Sequence, residues 1–261
     1  MIRILHASDL HVGDCEPVLL EALLDAVCAL APDVLVVTGD LTEAGRRRQF
    51  RAIGDWIARC PVPVVVCPGN HDVPVFDLAS RVLAPWRQFE ALGLPDSWRA
   101  PGIAVQAFTS ALGLQWRLDW SQGRYGDRFA DAVARLGPPE PGGWQLLACH
   151  HPPFSLDGAR VRADTGRIAG MPALLAGRTR TLLLCGHLHQ ARLVRLAGGA
   201  RLVVAPSAAS RRQRGGRPGF LMLEAGQDDG LTVTAYRFGA GVFTRDGTLS
   251  EEQEKTARAN H

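Results

Sequence analysis

Lysine is nearly absent from this chain. Lys255 is the only one, so arginine supplies 28 of the 29 basic side chains. Genomic base composition accounts for so uniform a bias, although the planar arginine fork suits a few phosphate contacts. Paired cysteines are missing too. Cys15, Cys28, Cys60, Cys67, Cys149 and Cys185 form no C-x-x-C pair and no regular spacing, which argues against a zinc ribbon and a disulfide framework. Cys67, Cys149 and Cys185 each end an apolar run, where small buried filler is the expected role. No stretch approaches the 18 or so apolar residues of a membrane span, so no membrane is expected as partner. No basic segment followed by an apolar one precedes the first strand, and a cytoplasmic protein is expected. Internal repeats and low-complexity segments are also lacking.

What is there is enough to fold. Hydrophobic residues make up 46% of the 261, sufficient for a substantial core. That length suits one large domain, expected over residues 1–249. A polar tail, 250–261, follows, expected as a surface helix or as disorder. The net charge of +3 and pI near 8.7 tolerate an anionic substrate without arguing for nucleic acid.

The first two-thirds of the chain alternates short apolar runs with longer amphipathic ones. Residues 2–7, 34–38 and 62–67 read as strands, with 34–38 a continuous apolar run up to Thr38, as in a strand covered on both faces, and 62–67 short and β-branched. Residues 18–30 and 43–59 carry apolar side chains at helical spacing. This β-α-β-α-β series implies parallel strands with packed helices. A helix is expected over 77–92, a strand over 103–109, a long loop over 112–125, a helix over 127–136, and strands over 144–149 and 181–185. Beyond His189 the runs 191–196, 201–205, 220–224 and 231–238 are separated by glycine-rich turns, which favours antiparallel strands.

Metal-binding residue types gather at the ends of five of these strands. Asp9 and His11 follow the first. Asp40 follows Gly39, and Asn70, His71 and Asp72 follow Gly69. His150 and His151 follow the 144–149 run, and His187 and His189 follow Gly186. In α/β sheets ligands bind beyond the carboxyl ends of the strands, so these clusters meet there although far apart in sequence. Asp9, His11, Asp40, Asn70, His150, His187 and His189 offer seven nitrogen and oxygen donors. One catalytic zinc needs about three protein ligands, so two ions are expected, with Asp40 as the bridging carboxylate. No thiolate is among the donors, which leaves manganese, iron, zinc or cobalt open.

These motifs, D-L-H (9–11), G-D (39–40), G-N-H-D (69–72), H-H-P-P (150–153) and G-H-L-H (186–189), resemble in order and spacing the calcineurin-like metallophosphoesterase superfamily. They span about 70% of the chain. The H-H-P-P form and small size look most like the class III cyclic-nucleotide and glycerophosphodiester phosphodiesterases. The resemblance implies an α/β fold, a four-layer α/β/β/α sandwich with two mixed sheets. It implies one ion on Asp9, His11, Asp40 and His189, and another on Asp40, Asn70, His150 and His187. It implies a metal-bridging water or hydroxide as nucleophile. His71 is then a catalytic residue facing the substrate, and Asp72 fixes the His71 ring from behind. The expected activity is hydrolysis of a small phosphodiester. A DNA or RNA nuclease, with nucleic acid as partner, and a phosphomonoesterase are the alternatives, and a non-catalytic scaffold is the remaining one.

Other residues have plainer readings beside their functional ones. His6 lies inside a strand and reads as a packed histidine, and His261 is terminal. His151 stands next to a ligand, near the substrate or behind the ligands. Arg211 and Arg212 open a dense basic run, 211–217, which is either a solvated loop or a greeting for an anionic substrate. Trp116 and Trp120 could stack on a base or anchor the middle loop.

Overall fold

The computed structural model describes residues 1–114, 121–156, 171–211, 216–226 and 230–254. The first half builds β1 (Ile2–Ala7), α1 (Pro17–Leu30), β2 (Val34–Thr38), α2 (Arg47–Ile57), β3 (Val64–Cys67), α3 (Leu78–Leu83), α4 (Arg87–Glu90), β4 (Ser97–Ala100) and β5 (Ile103–Ala107). The second half builds α5 (Asp127–Leu136), β6 (Trp144–Ala148), α6 (Met171–Leu175), β7 (Thr181–Cys185), β8 (Arg192–Arg195), β9 (Arg201–Val204), β10 (Gly219–Ala225), β11 (Leu231–Gly239), β12 (Val242–Thr248) and β13 (Glu252–Gln253).

The strands form two mixed sheets. One runs β12-β11-β10-β1-β2-β3, the other β13-β8-β9-β7-β6-β5-β4. In the first, β1, β2 and β3 are parallel, and β10 joins β1 antiparallel. In the second, β5, β6, β7 and β9 are parallel. Strand alternation then sorts the side chains into layers. Val34 and Val36 of β2 meet Leu146, Leu182 and Leu184 between the sheets. Leu35 and Val37, on the opposite face, pack under Leu23 and Val27 of α1 and Phe50 and Ile53 of α2. On the far side, Phe129 and Val133 of α5 cover Leu147 and Leu183. Each such buried side chain stabilises the fold by about 1.5–3 kcal/mol. The result is the expected four-layer α/β/β/α sandwich.

Four local expectations change. The helix expected over 77–92 is two short ones, α3 and α4, because Pro85 follows Ala84. Proline disfavours helical geometry in the residue before it, and Ala84 sits at φ −152°. The helix expected from residue 43 begins at Arg47, which leaves Glu43 in a loop. Edge strands β4 and β12 were not expected: both expose much of their length and so lack the apolar run of a covered strand. In the polar tail, Glu252 and Gln253 form β13 against β8, and Glu251 pairs with Arg195 and Arg201. The late strands pair antiparallel with one another as expected, but they divide between sheets, β8 and β9 in one, β10 to β12 in the other, and β9 also runs parallel to β7.

Candidate metal centre

The carboxyl ends of β1, β2, β3, β6 and β7 carry the expected donors to one place. The backbone there is unusual. Asp9 (φ 55°), His11 (φ 48°), Asp40 (φ 49°), His187 (φ 67°) and His189 (φ 55°) are left-handed, and the only other non-glycine residues so placed among those described are Ala31 and Ala240. The left-handed region costs an L-residue about 1–2 kcal/mol, and such strain persists only where the surroundings enforce it. Cross-strand bonds do so here, from Asp9 N to Gly39 O at 3.1 Å and from His11 N to Asp40 O at 2.9 Å. Two glycines admit the close approach. A Cβ at Gly69 would lie 2.2 Å from Asp40 Oδ1, and one at Gly186 would lie 1.7 Å from Ser8 Oγ and 2.7 Å from Asp9 Oδ2.

Asp40 sits in the middle. Its Oδ2 lies 3.6 Å from His11 Nε2 and 3.3 Å from His150 Nε2. On one side Asp9 Oδ1 lies 3.0 Å from His189 Nε2 and 3.8 Å from His11 Nε2. On the other side the ring centroids of His150 and His187 are 5.2 Å apart. Thr38 O accepts from His150 Nδ1 at 2.8 Å, which turns Nε2 toward Asp40. Among the described residues, Asp9 with His11 and His189, and Asp9 with Asp40 and His150, each bring their donor atoms within 4.8 Å of one another.

Five of these donor atoms have no hydrogen-bond partner within the protein. Asp9 Oδ1, His11 Nε2, Asn70 Oδ1, His150 Nε2 and His187 Nε2 are all buried and lack one. Each buried polar atom left so costs about 1–3 kcal/mol, and five gathered at one point suit a cation rather than a closed interior. The donor set is nitrogen and oxygen only, so the residues fit transition-metal ions.

Charge balance argues the same way. Burial opposes ionisation of Asp9 and Asp40, yet the surrounding imidazoles hold both carboxyls well below the usual range. In return, and against burial, Asp9, Glu43 and Asp40 raise His11 to about 10, and Asp40 raises His150 to about 9. Burial and the neighbouring His150 push His187 down to about 3.

His71 lies at the edge, with its side chain 26% exposed. Its Nδ1 donates to the Glu43 carbonyl at 2.8 Å, and its backbone N–H donates to Asp40 Oδ1 at 2.8 Å. Asp72 does not hold the ring as the resemblance implied. It is buried, with its carboxylate accepting from Leu41 N, Thr42 N, Thr42 Oγ1 and Gly69 N. It thereby ties the β2 and β3 loops together, and burial, then Asp40, raises it to about 6. The group beside His71 is Glu43, which also accepts from His11 Nδ1 through Oε2 at 2.8 Å. Sequence reasoning assigned Glu43 to a helix. The available signal was a carboxylate three residues past Asp40 in G-D-L-T-E.

His151 fits the second of its two readings, behind the ligands. It is fully buried, with Nδ1 on Ser110 Oγ at 2.9 Å and Nε2 on Ser121 O at 2.8 Å, so no ring nitrogen is left for a substrate. Cys149 Sγ lies 3.6 Å from Cys185 Sγ, both buried behind the histidines as filler. His6 packs between the sheets on Thr38 Oγ1 at 2.9 Å. Arg211 is exposed, after a buried segment in which Ser207 Oγ donates to the Asp9 carbonyl at 2.8 Å. Arg212, Trp116, Trp120 and His261 lie outside the described residues.

A family model described as calcineurin-like phosphoesterase matches residues 2–191. Among curated proteins, the chain is 27% identical over 231 residues to the 3′,5′-cyclic adenosine monophosphate phosphodiesterase CpdA of Escherichia coli, covering 84% of this chain and 79% of that one. It is 29% identical over 169 residues to a probable cyclic nucleotide phosphodiesterase of Synechococcus sp., covering 62% of this chain and 59% of that protein. Among solved structures, the purple acid phosphatase PPD1 of yellow lupin superposes with a TM-score of 0.69 at 15% identity, covering 96% of this chain and 54% of that one. A dimetal phosphatase of Danio rerio gives 0.59 at 13%, covering 95% and 99%. These two likenesses concern the fold.

Proposed function

This chain belongs to the calcineurin-like phosphoesterase family, a family of metal-dependent phosphoester hydrolases, and on that premise we propose that it is a two-ion phosphodiesterase acting on a small phosphodiester, a cyclic nucleotide first among them. The observation that carries this reading is the set of orphaned donors on both sides of Asp40. Asp9, His11, Asp40 and His189 would hold one ion, and Asp40, Asn70, His150 and His187 the other. Ions of this kind polarise phosphoryl oxygens and bring the pKa of water toward neutrality.

The remaining work falls to the chain. With Nδ1 of His71 donating to the Glu43 carbonyl, Nε2 is the nitrogen left for the substrate, and as an imidazolium it would donate to the phosphate or protonate the departing oxygen. Glu43 and the Thr38 carbonyl fix the rings of His11 and His150. The names of the E. coli and Synechococcus relatives are the support for a cyclic nucleotide.

The test is a turnover screen with Mn²⁺ across bis(p-nitrophenyl) phosphate, a 3′,5′-cyclic nucleotide, a glycerophosphodiester, a phosphomonoester and DNA. Metal-dependent cleavage of a small diester, nearly abolished in Asp40→Ala, is expected. Full activity in Asp40→Ala sinks the bridging role. Preferred cleavage of the monoester or of DNA overturns the substrate class.

A further inference from the structure

Directly after Asp72 the surface turns apolar. Val75, Phe76, Leu78, Val82 and Leu83 are all exposed, Phe76 by 74% and Leu83 by 83%. Five large apolar side chains within nine residues form a strip rather than the scattered singles of an ordinary surface. Leu78 and Val82 stand four apart on α3 and so share a face.

The charge beside this strip has one sign. Residues 44–51 contain Arg46, Arg47, Arg48 and Arg51 and no acid. All four are exposed, and none forms an ion pair among the described residues. Arg46 lies over the Phe76 ring at 4.4 Å, which joins the basic segment to the apolar one. The only acid in 73–84 is Asp77, and its carboxylate is occupied in capping α3 through Ser80 N and Ser80 Oγ. Between the two segments opens a cavity of about 280 Å³, lined by Arg47, Arg87, Val75 and Phe76 among others.

We propose that this face docks on an anionic lipid surface, with the apolar strip entering the headgroup boundary and the arginines meeting lipid phosphates. Charge complementarity selects this occupant. A second copy of the chain would bring like-charged arginines together. A free small anion would fill the cavity and leave Leu78 and Leu83 in water. An anionic bilayer satisfies both features, since interfacial binding combines buried apolar area with attraction to acidic headgroups. Nothing in the chain need cross the membrane, and no helix among the described residues is long and apolar enough to do so. The proposal stands independently of the hydrolytic reading.

The test is co-sedimentation of the whole protein with vesicles of phosphatidylcholine alone and of phosphatidylcholine with one-third phosphatidylglycerol. Binding to the anionic vesicles is expected, and it should weaken as added salt shortens the Debye length from about 10 Å at 0.1 M to 3 Å at 1 M. The double variant Leu78→Asp, Leu83→Asp and the double variant Arg47→Glu, Arg48→Glu should each lower the bound fraction about tenfold or more. Both should keep the far-UV circular dichroism of the parent. Equal binding to neutral vesicles, no binding to either, or unchanged binding in both variants overturns the proposal. So does a dimer in sedimentation velocity that Leu83→Asp dissociates, which would give the strip to a second copy.

Discussion

Glu43 Oε2 accepts a hydrogen bond from Nδ1 of His11 at 2.8 Å, and this one contact decides which nitrogen of His11 faces the cluster. With Nδ1 engaged, Nε2 points at Asp9 and Asp40, 3.8 and 3.6 Å away. A carboxylate behind a ligating imidazole also raises its basicity, and losing such a partner typically costs about 10–100-fold in metal affinity. Glu43→Ala should therefore weaken Mn²⁺ binding by about that factor, read by isothermal titration calorimetry. Glu43→Gln keeps an acceptor oxygen and should fall between the two proteins. Affinity unchanged in both variants would refute the positioning role.

The charge balance predicts a pH dependence that reverses when metal is bound. The folded-state values of His11 and His150, about 10 and about 9, lie above the ordinary 6.5. Their contribution to stability is thus complete below about pH 6.5 and is lost as pH rises through 9 and 10. Metal-free protein should show a Tm that drops between pH 7 and pH 10, by about 2–4 °C per kcal/mol at this size. Bound metal needs the imidazoles deprotonated, so metal-loaded protein should lack this alkaline loss. Its metal affinity should instead fall as pH falls. Differential scanning calorimetry with EDTA and with Mn²⁺ compares the two.

Backbone proximity at Gly69 yields a sharper prediction about Asp40. A Cβ there would fall 2.2 Å from Asp40 Oδ1 and 2.3 Å from Asp40 N. The backbone atom cannot swing aside as a flexible side chain can, so Gly69→Ala must displace Asp40. A displacement near 1 Å costs about 10²-fold in rate. The variant should fold, bind less than the full complement of metal by mass spectrometry, and lose about that much kcat.

How much of this was legible in the sequence depends on the range of the interaction. The donors were readable because each follows a covered strand, and five strand ends of one sandwich meet. The layers were readable because Val34–Thr38, Trp144–Ala148 and Thr181–Cys185 are apolar except at Thr38, Gln145 and Thr181. The resemblance sets Asp72 behind His71, whereas its carboxylate turns to the β2 loop, 30 and 31 residues away at Thr42 and Leu41. Glu43 was missed because its partners lie 32 and 28 residues off, at His11 and His71. Edge strands such as Val242–Thr248 escape because a half-exposed strand carries no continuous apolar signature.

His151 offers a test that separates neighbourhood from function. It follows a candidate ligand directly, and its ring centroid lies 4.6 Å from that of His187, yet it is fully buried with both nitrogens committed to Ser110 and Ser121. Tyr125 OH donates to its carbonyl at 2.7 Å, which fastens it further. Burial, followed by the neighbouring His187 and His150, holds its pKa well below the ordinary value, so it stays neutral at working pH. His151→Leu removes both ring bonds and leaves Ser110 Oγ and Ser121 O to find other partners, at about 1–3 kcal/mol for each buried group left unsatisfied. The variant should melt earlier. At temperatures where it stays folded, it should keep KM for a diester substrate and its metal content. A raised KM at full metal occupancy would instead return His151 to the substrate.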